Sequence, residues 1–263
     1  MQLSRILPSL AIALATLTST VQAETITSAQ YTTPVTRYGH FALGRPHEYA
    51  RLSVTTDSGR KLALQLPDGE VFEDLTPRLV TLAAGEPTEV LAVVSRPADG
   101  SRLVMVRLAG DQLEISAESP ATGMANRWMN PVGVGDFNGD GRAEIAAVTT
   151  PHIGGTLRVY ERKGKQLVEM AALPGFSNHI YGTPELSLSK AVAIDGHVRL
   201  LVPNATRSNL RIIALKATRL VEVGRCALPA PVTDAIRLIS PGVVSVGLTT
   251  GRRNVVLEGC LGK

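Results

Sequence analysis

Short apolar runs of Val, Leu, Ile and Thr recur along the chain, each ended by Gly, Pro, Asp or Asn. Runs of this length and composition predict β-strands, and no stretch sustains a helical period. The runs fall into groups. The first holds His40–Gly44, Ala50–Val54, Lys61–Leu64 and Glu70–Phe72. The second holds Leu79–Leu82, Val90–Val94, Leu103–Val106 and Leu113–Ile115. The third surrounds a glycine- and acid-rich loop near residue 136 and continues with Thr156–Tyr160 and Leu167–Met170. The fourth holds Ala191–Ile194, Val198–Val202, Leu210–Ile213 and Arg219–Val223. The fifth holds Ile236–Ile239, Val243–Val246 and Asn254–Leu257. Four short strands repeating about every 40–60 residues point to propeller blades. The fifth group is one strand short, and a run at Glu24–Tyr31 has no partner. Pairing that run into the last blade closes the ring and leaves no exposed sheet edge. The expected fold is all-β: a single β-propeller domain over 24–263, with five blades closed by the N-terminal strand. A two-sheet β-sandwich is the competing arrangement for the same strand density.

Residues 1–23 do not belong to that pattern. Arg5 precedes an apolar run from Ile6 to Leu17, and Val21-Gln22-Ala23 ends it with small residues. The run is too short to span a bilayer and has the form of a cleaved signal peptide. No Cys follows it to accept a lipid, and no other stretch is long and apolar enough for a membrane span. The expectation is an exported protein, periplasmic or secreted. An oxidising compartment favours a disulfide between the two cysteines, Cys226 and Cys260, over two buried free thiols. The formal net charge of +4 is dispersed, with no basic run interleaved with aromatics. Nucleic acid is therefore not expected as a partner, and a monomer is.

Chemistry concentrates between Gly135 and Ile145. Asp136, Asn138 and Asp140 place side-chain oxygens at alternate positions, Gly141 allows a sharp turn, and Glu144 completes the set with the Arg142 carbonyl. Hard cations such as Ca²⁺ are held by such oxygen-rich loops. An EF-hand would need a glutamate at the twelfth position, where Ala147 stands, and a helix on either side. Here Pro131–Gly135 is poor helix material and Ile145–Thr150 reads as a buried strand, so the loop joins two strands. A metal-free Asn-Gly or Asp-Gly hairpin is the simpler alternative. The stretch Gly135-Asp136-Phe137-Asn138-Gly139-Asp140-Gly141-Arg142-Ala143-Glu144-Ile145 resembles the core of an FG-GAP or VCBS repeat. The resemblance implies a calcium loop joining the first two strands of a blade, as in the N-terminal propeller of integrin α chains. It covers one unit, about 131–160, and Glu144 stands where the family usually has Asp. Ca²⁺ is the expected cofactor, with a structural role, since all its ligands come from one loop.

Two long loops lead back into inner strands. Gly123–Pro131 carries Arg127 and Trp128, and Gly175–Glu185 carries His179 and Tyr181; a shorter counterpart at Thr36–Gly39 carries Arg37 and Tyr38. Arg127, Trp128, His179 and Tyr181 are the expected ligand-binding residues, because such loops cross one face of a propeller and aromatic and Arg side chains anchor binding sites. Packing of Trp128 and Tyr181 between blades is the competing role. No nucleophile elbow, zinc-protease motif or phosphate loop is present, and His179 with Glu185 or Asp234 is a thin acid–base set. The expected function is a non-catalytic binding or scaffold module for a protein or glycan. A carbohydrate-active enzyme on a five-bladed propeller is the alternative.

Overall fold

The structure is a computed structural model, and it describes residues 24–262. The expected signal peptide, 1–23, lies outside the described residues. The fold is all-β. Its strands are β1 (Ile26–Pro34), β2 (Tyr49–Thr56), β3 (Lys61–Gln65), β4 (Val71–Phe72), β5 (Arg78–Val80), β6 (Glu89–Arg96), β7 (Gly100–Ala109), β8 (Gln112–Glu118), β9 (Met129–Gly135), β10 (Glu144–Thr149), β11 (Gly155–Lys163) and β12 (Gln166–Phe176). They continue as β13 (Lys190–Ile194), β14 (His197–Pro203), β15 (Asn209–Lys216), β16 (Arg219–Ala227), β17 (Val232–Ser240), β18 (Val243–Leu248) and β19 (Gly251–Val256).

Strands β13 to β16 form one sheet and β17 to β19 another, while the first twelve lie on one hydrogen-bonded path. That path is three antiparallel meanders joined by two short links. Two-residue β4 bridges β2 to β6, and β8 meets β12 through the single parallel pair Gln166↔Glu118. The resulting strand groups pack face to face in sequence order.

Alternation along each second strand explains the stacking, because successive side chains leave a strand on opposite faces. In β6, Val90, Ala92 and Val94 enter the core shared with β1–β3, while Leu91 and Val93 enter the core shared with β9–β12. In β10, Ile145 and Ala147 face the β5–β8 side while Ala146 and Val148 face the β13–β16 side. In β14, Leu200 and Val202 face back while Leu201 faces β17–β19. The two end groups alternate differently. β2 buries Leu52 and Val54 but turns Arg51, Ser53 and Thr55 outward. β18 buries Val244, Val246 and Leu248, and Arg252 covers Ser245 on the other side, its Nε donating to the Ser245 hydroxyl at 3.1 Å.

Five packed groups thus share four apolar cores. Among the described residues no fifth core joins the last group to the first, so the ring is not closed by sheet packing. The expected closing strand is also elsewhere. β1 pairs with β2, with Ala29 opposite Val54 and Tyr31 opposite Leu52, and the last sheet keeps three strands. The reason lies in two side chains. Ile26 and Tyr31 are buried in the first core, Tyr31 stacks on Phe72 at 5.1 Å, and its hydroxyl donates to buried Asp74 at 3.1 Å. Moving β1 to the far end would strip all three contacts.

The run His40–Gly44, expected as a strand, is a loop. Ala42 and Leu43 from it are buried in the same core as Trp128 and Met129, so the loop plugs the space between strand groups. Its amides are satisfied by a side chain: Glu48 Oε1 accepts from His40 and Phe41 at 3.0 and 3.3 Å, and Oε2 accepts from Gly39 at 3.1 Å. The expected disulfide is present. Cys226 of β16 joins Cys260 beyond β19, tying the last sheet to its neighbour.

Candidate functional site

The acidic loop spans the β9–β10 hairpin, whose last pair is Gly135 opposite Glu144. Phe137 is buried in the core behind it, and its amide donates to Glu144 Oε2 at 2.8 Å. Gly139 and Gly141 have φ of 85° and 89°, a conformation that a side chain resists. The chain therefore coils tightly, and carboxylate oxygens of Asp136, Asp140 and Glu144 come within 4.8 Å of one another. The Asn138 amide sits among them, its nitrogen donating to Asp140 Oδ2 at 3.0 Å and Glu144 Oε1 at 2.8 Å. Burial, then the charges of Asp140 and Asp136, push the Glu144 carboxyl up from its ordinary range. The Arg142 amide and the Asn138 side chain hold Asp140 down. Three crowded carboxyls with hard oxygen donors form a set that a divalent cation suits. The loop also leans on its neighbour: the Ala143 amide donates to Leu82 O at 2.6 Å, and Arg142 pairs with Glu86 at 2.8 Å.

Most of the other candidate residues gather at or behind a cleft where loops from distant parts of the chain meet. Loop 35–48 brings Tyr38 and His40, loop 119–128 brings Asn126, Arg127 and Trp128, turn 150–154 brings His152, and loop 177–189 brings His179 and Tyr181. Cross-loop hydrogen bonds fix them. The Asn126 amide donates to the Tyr38 hydroxyl at 2.8 Å, and the Tyr181 hydroxyl donates to His40 O at 2.6 Å. The Gly182 amide donates to Ala42 O at 2.7 Å, and the Thr150 amide to Trp128 O at 2.7 Å. The cleft is open to solvent on one side and holds about 140 Å³. Three of the non-glycine residues with positive φ flank it: Phe41, Asn126 and Thr150, at 51°, 58° and 51°. That conformation is costly, most of all for β-branched Thr150, and such strain persists at sites where the surroundings impose it.

The expected binding residues divide by exposure. Tyr181 is 56% exposed and Arg127 half-buried, both lining the cleft. Trp128 and His179 are sealed, at 1% and 0%, so neither offers an open surface: Trp128 lines the base of the cleft and His179 lies behind it, against His152. Trp128 is drawn in because its indole N–H donates to Glu73 O at 2.8 Å and its ring completes the apolar core around Met129. Arg37 is not in the cleft. It turns to the 67–70 turn, where its guanidinium donates to Pro67 O at 2.9 Å and pairs with Asp68 at 3.1 Å.

Two histidines not singled out from sequence complete the cleft. His40 Nδ1 lies 2.7 Å from buried Glu73 Oε1, whose other oxygen accepts from Ser95 at 2.7 Å. His152 stacks parallel to Trp128 at 6.0 Å and meets Tyr181 edge-on at 5.3 Å. His152 Nε2 and His179 Nδ1 are 2.7 Å apart, and His179 Nε2 lies 2.9 Å from Thr183 O. Burial, then the neighbouring His179, His40 and Arg207, lower His152 to about 3. Burial lowers His179 to about 4, with Arg207 adding to the shift and the Thr183 carbonyl opposing it. No local motif marks either histidine, because the groups that place them, Glu73, His179 and Thr183, lie far along the chain.

Comparison with protein-family models gives no match, nor does comparison with curated proteins. A solved structure similar to this chain is the intramolecular trans-sialidase from Ruminococcus gnavus in complex with oseltamivir carboxylate. The two are 11% identical, the match covers 81% of this chain with a TM-score of 0.49, and this chain spans about half of that one, 52%.

The buried imidazoles make stability depend on pH. Both rings titrate near 6.5 when unfolded and near 3 and 4 when folded. Between those limits the unfolded chain holds more protons. The neutral pair's contribution is complete above about pH 6.5 and drains away as pH falls toward 4, at up to about 1.4 kcal/mol per pH unit for sealed His179. Urea melts at pH 7.5 and 5 should show the wild type losing more stability on acidification than His179→Gln. Equal losses would mean that His179 is not held neutral.

Proposed function

We propose that this chain is an exported β-propeller that binds a protein or glycan in the aromatic cleft and performs no catalysis. The observation that carries this reading is the preformed, strained cleft with an exposed apolar rim. Ile153 and Tyr181 are 59% and 56% exposed around a hollow whose loops are held by cross-loop hydrogen bonds. Arg and Tyr are residue types that interfaces concentrate, and preorganisation lowers the entropy lost on binding.

The acids near the cleft are committed elsewhere. Glu48 and Glu73 are 0% exposed and occupied by amides, His40 and Ser95. A glycosidase needs two carboxyl groups flanking its scissile bond, and an imidazole lowered to about 3 is a weak base at neutral pH. A five-bladed arrangement is the finer form of the fold reading, supported by five packed strand groups. Export is supported by the disulfide; no helix among the described residues is long and apolar enough to cross a membrane.

The acidic loop is read as a Ca²⁺ staple, held by Asp136, Asn138, Asp140, Glu144 and the Arg142 carbonyl. The FG-GAP-like spacing and the crowded carboxyls support it. At a dissociation constant of about 10⁻⁴–10⁻³ M, usual for extracellular modules, 10 mM Ca²⁺ stabilises by about 1.4–2.7 kcal/mol. Thermal melts should therefore rise with Ca²⁺ over chelator in the wild type and not in Asp140→Ala. Identical wild-type melts in both conditions would remove the staple.

For the cleft, Tyr181→Ala should keep most of its stability and lose about 2 kcal/mol or more of binding, read as capture of ligands from the exported fraction and on a glycan array. Trp128→Ala should instead cost roughly 3–5 kcal/mol of stability, as expected of a core residue. Unchanged capture by folded Tyr181→Ala would place any binding elsewhere.

A further inference from the structure

His152 lines the cleft and keeps one bare ring nitrogen, and the chemistry of its neighbours determines which one. The Thr183 carbonyl can only accept, so His179 Nε2 carries the hydrogen directed at it across 2.9 Å. His179 Nδ1 is then unprotonated and accepts from His152 Nε2–H across 2.7 Å. The chain of donors ends at His152 Nδ1, which keeps a lone pair. No described residue donates to that lone pair. Nor is it sealed: the fully buried side-chain atoms without partners are Arg102 Nη1, Asn130 Oδ1 and Asn178 Oδ1, while His152 lines the hollow. Protonation does not fill it at neutral pH, because burial, His179, His40 and Arg207 all oppose a positive charge on the ring.

Much of the wall around this acceptor is flat and apolar, with Asn126, Arg127 and Thr150 as its polar members. Trp128 stacks behind His152, Tyr181 stands edge-on to it, and Ile153 forms the rim. The volume of about 140 Å³ is close to that of a cavity that holds one benzene ring, ~150 Å³. We infer that the hollow takes a single ring tipped with a hydrogen-bond donor, as on a tyrosine side chain of a partner protein, and that His152 Nδ1 accepts that hydrogen. This inference rests on the reading of the cleft as a binding site. A sugar ring fits less well, since it carries hydroxyls on nearly every carbon while Ile153 and the Trp128 and Tyr181 rings offer them no partner, leaving only Asn126, Arg127 and Thr150 beside the histidines as polar groups lining the cleft. A donor-bearing ligand gains because an unpaired buried acceptor costs free energy that a ligand without a donor leaves unrecovered.

Phenol and toluene are ring-matched probes that differ in the donor. Each is titrated into the full chain and followed by the ¹H–¹⁵N signal of Trp128, the single tryptophan. Methyl glucoside serves as a third probe. Phenol should bind about fivefold or more tightly than toluene, which corresponds to about one net hydrogen bond, and glucoside more weakly than phenol. In His152→Phe the preference for phenol should vanish while toluene binding persists. Toluene binding as tightly as phenol to the wild type would overturn the donor rule and leave the cleft a binding site. So would a preference for phenol that survives in His152→Phe. Glucoside binding more tightly than phenol would overturn the side-chain class in favour of a glycan. No response to any probe would overturn the binding reading itself. Should His152→Phe not fold, imidazole ¹⁵N spectra of the wild type decide. An unprotonated His152 Nδ1 that shifts with phenol and not with toluene supports the inference, and a protonated Nδ1 overturns it.

Discussion

Glu48 is sealed from solvent, and its two carboxyl oxygens receive the amides of Gly39, His40 and Phe41. This small cluster holds loop 35–48 in a shape that no strand ladder imposes. Burying a carboxyl group is costly unless its oxygens are hydrogen-bonded, and three amide donors offset that cost. The consequence reaches far along the chain. With the loop pinned, Leu43 enters the core beside Trp128. His40 meets Glu73, and its carbonyl receives the Tyr181 hydroxyl from a residue 141 positions away. The cleft exists because this loop is fixed from beneath.

The strand groups around it follow a simpler rule. Where a strand lies between two neighbours, both faces are apolar, as in β6 and β10; where it lies at an end, one face is polar, as in β2. Interior groups therefore read as continuous apolar runs and end groups as alternating ones. In the first group a polar outer face stands against water without a partner, much as terminal repeats cap a stacked array, whereas the last group leaves Leu238, Ile239 and Val256 exposed. Among the described residues the groups share four cores, with no fifth core between the ends.

Local features were legible in the sequence and long-range ones were not. The acidic loop could be read because every donor lies between Asp136 and Glu144, so spacing alone reports geometry. The strands of the later groups could be read because their alternation is local. The partner of β1 could not, since Ile26 and Tyr31 fit any apolar face and only Asp74 and Phe72, more than forty positions on, decide which. Gathering Arg127 and Tyr181 into one cleft was foreseeable from loop position. The burial of Trp128 was not, because its hydrogen-bond acceptor is the Glu73 carbonyl, 55 residues away. His152 and His40 escaped notice for the same reason: their roles come from His179, Thr183 and Glu73, none of them a sequence neighbour.

Native-state hydrogen exchange at the Gly39, His40 and Phe41 amides tests the central claim most directly. A loop held by a buried carboxyl group opens only when the surrounding core opens. These amides should exchange about as slowly as those of β6 in the wild type and far faster in Glu48→Gln, which retains a single acceptor oxygen. Exchange in the wild type at the rate of an exposed turn such as Gly139–Gly141 would contradict the account, because the cleft would then have no fixed floor.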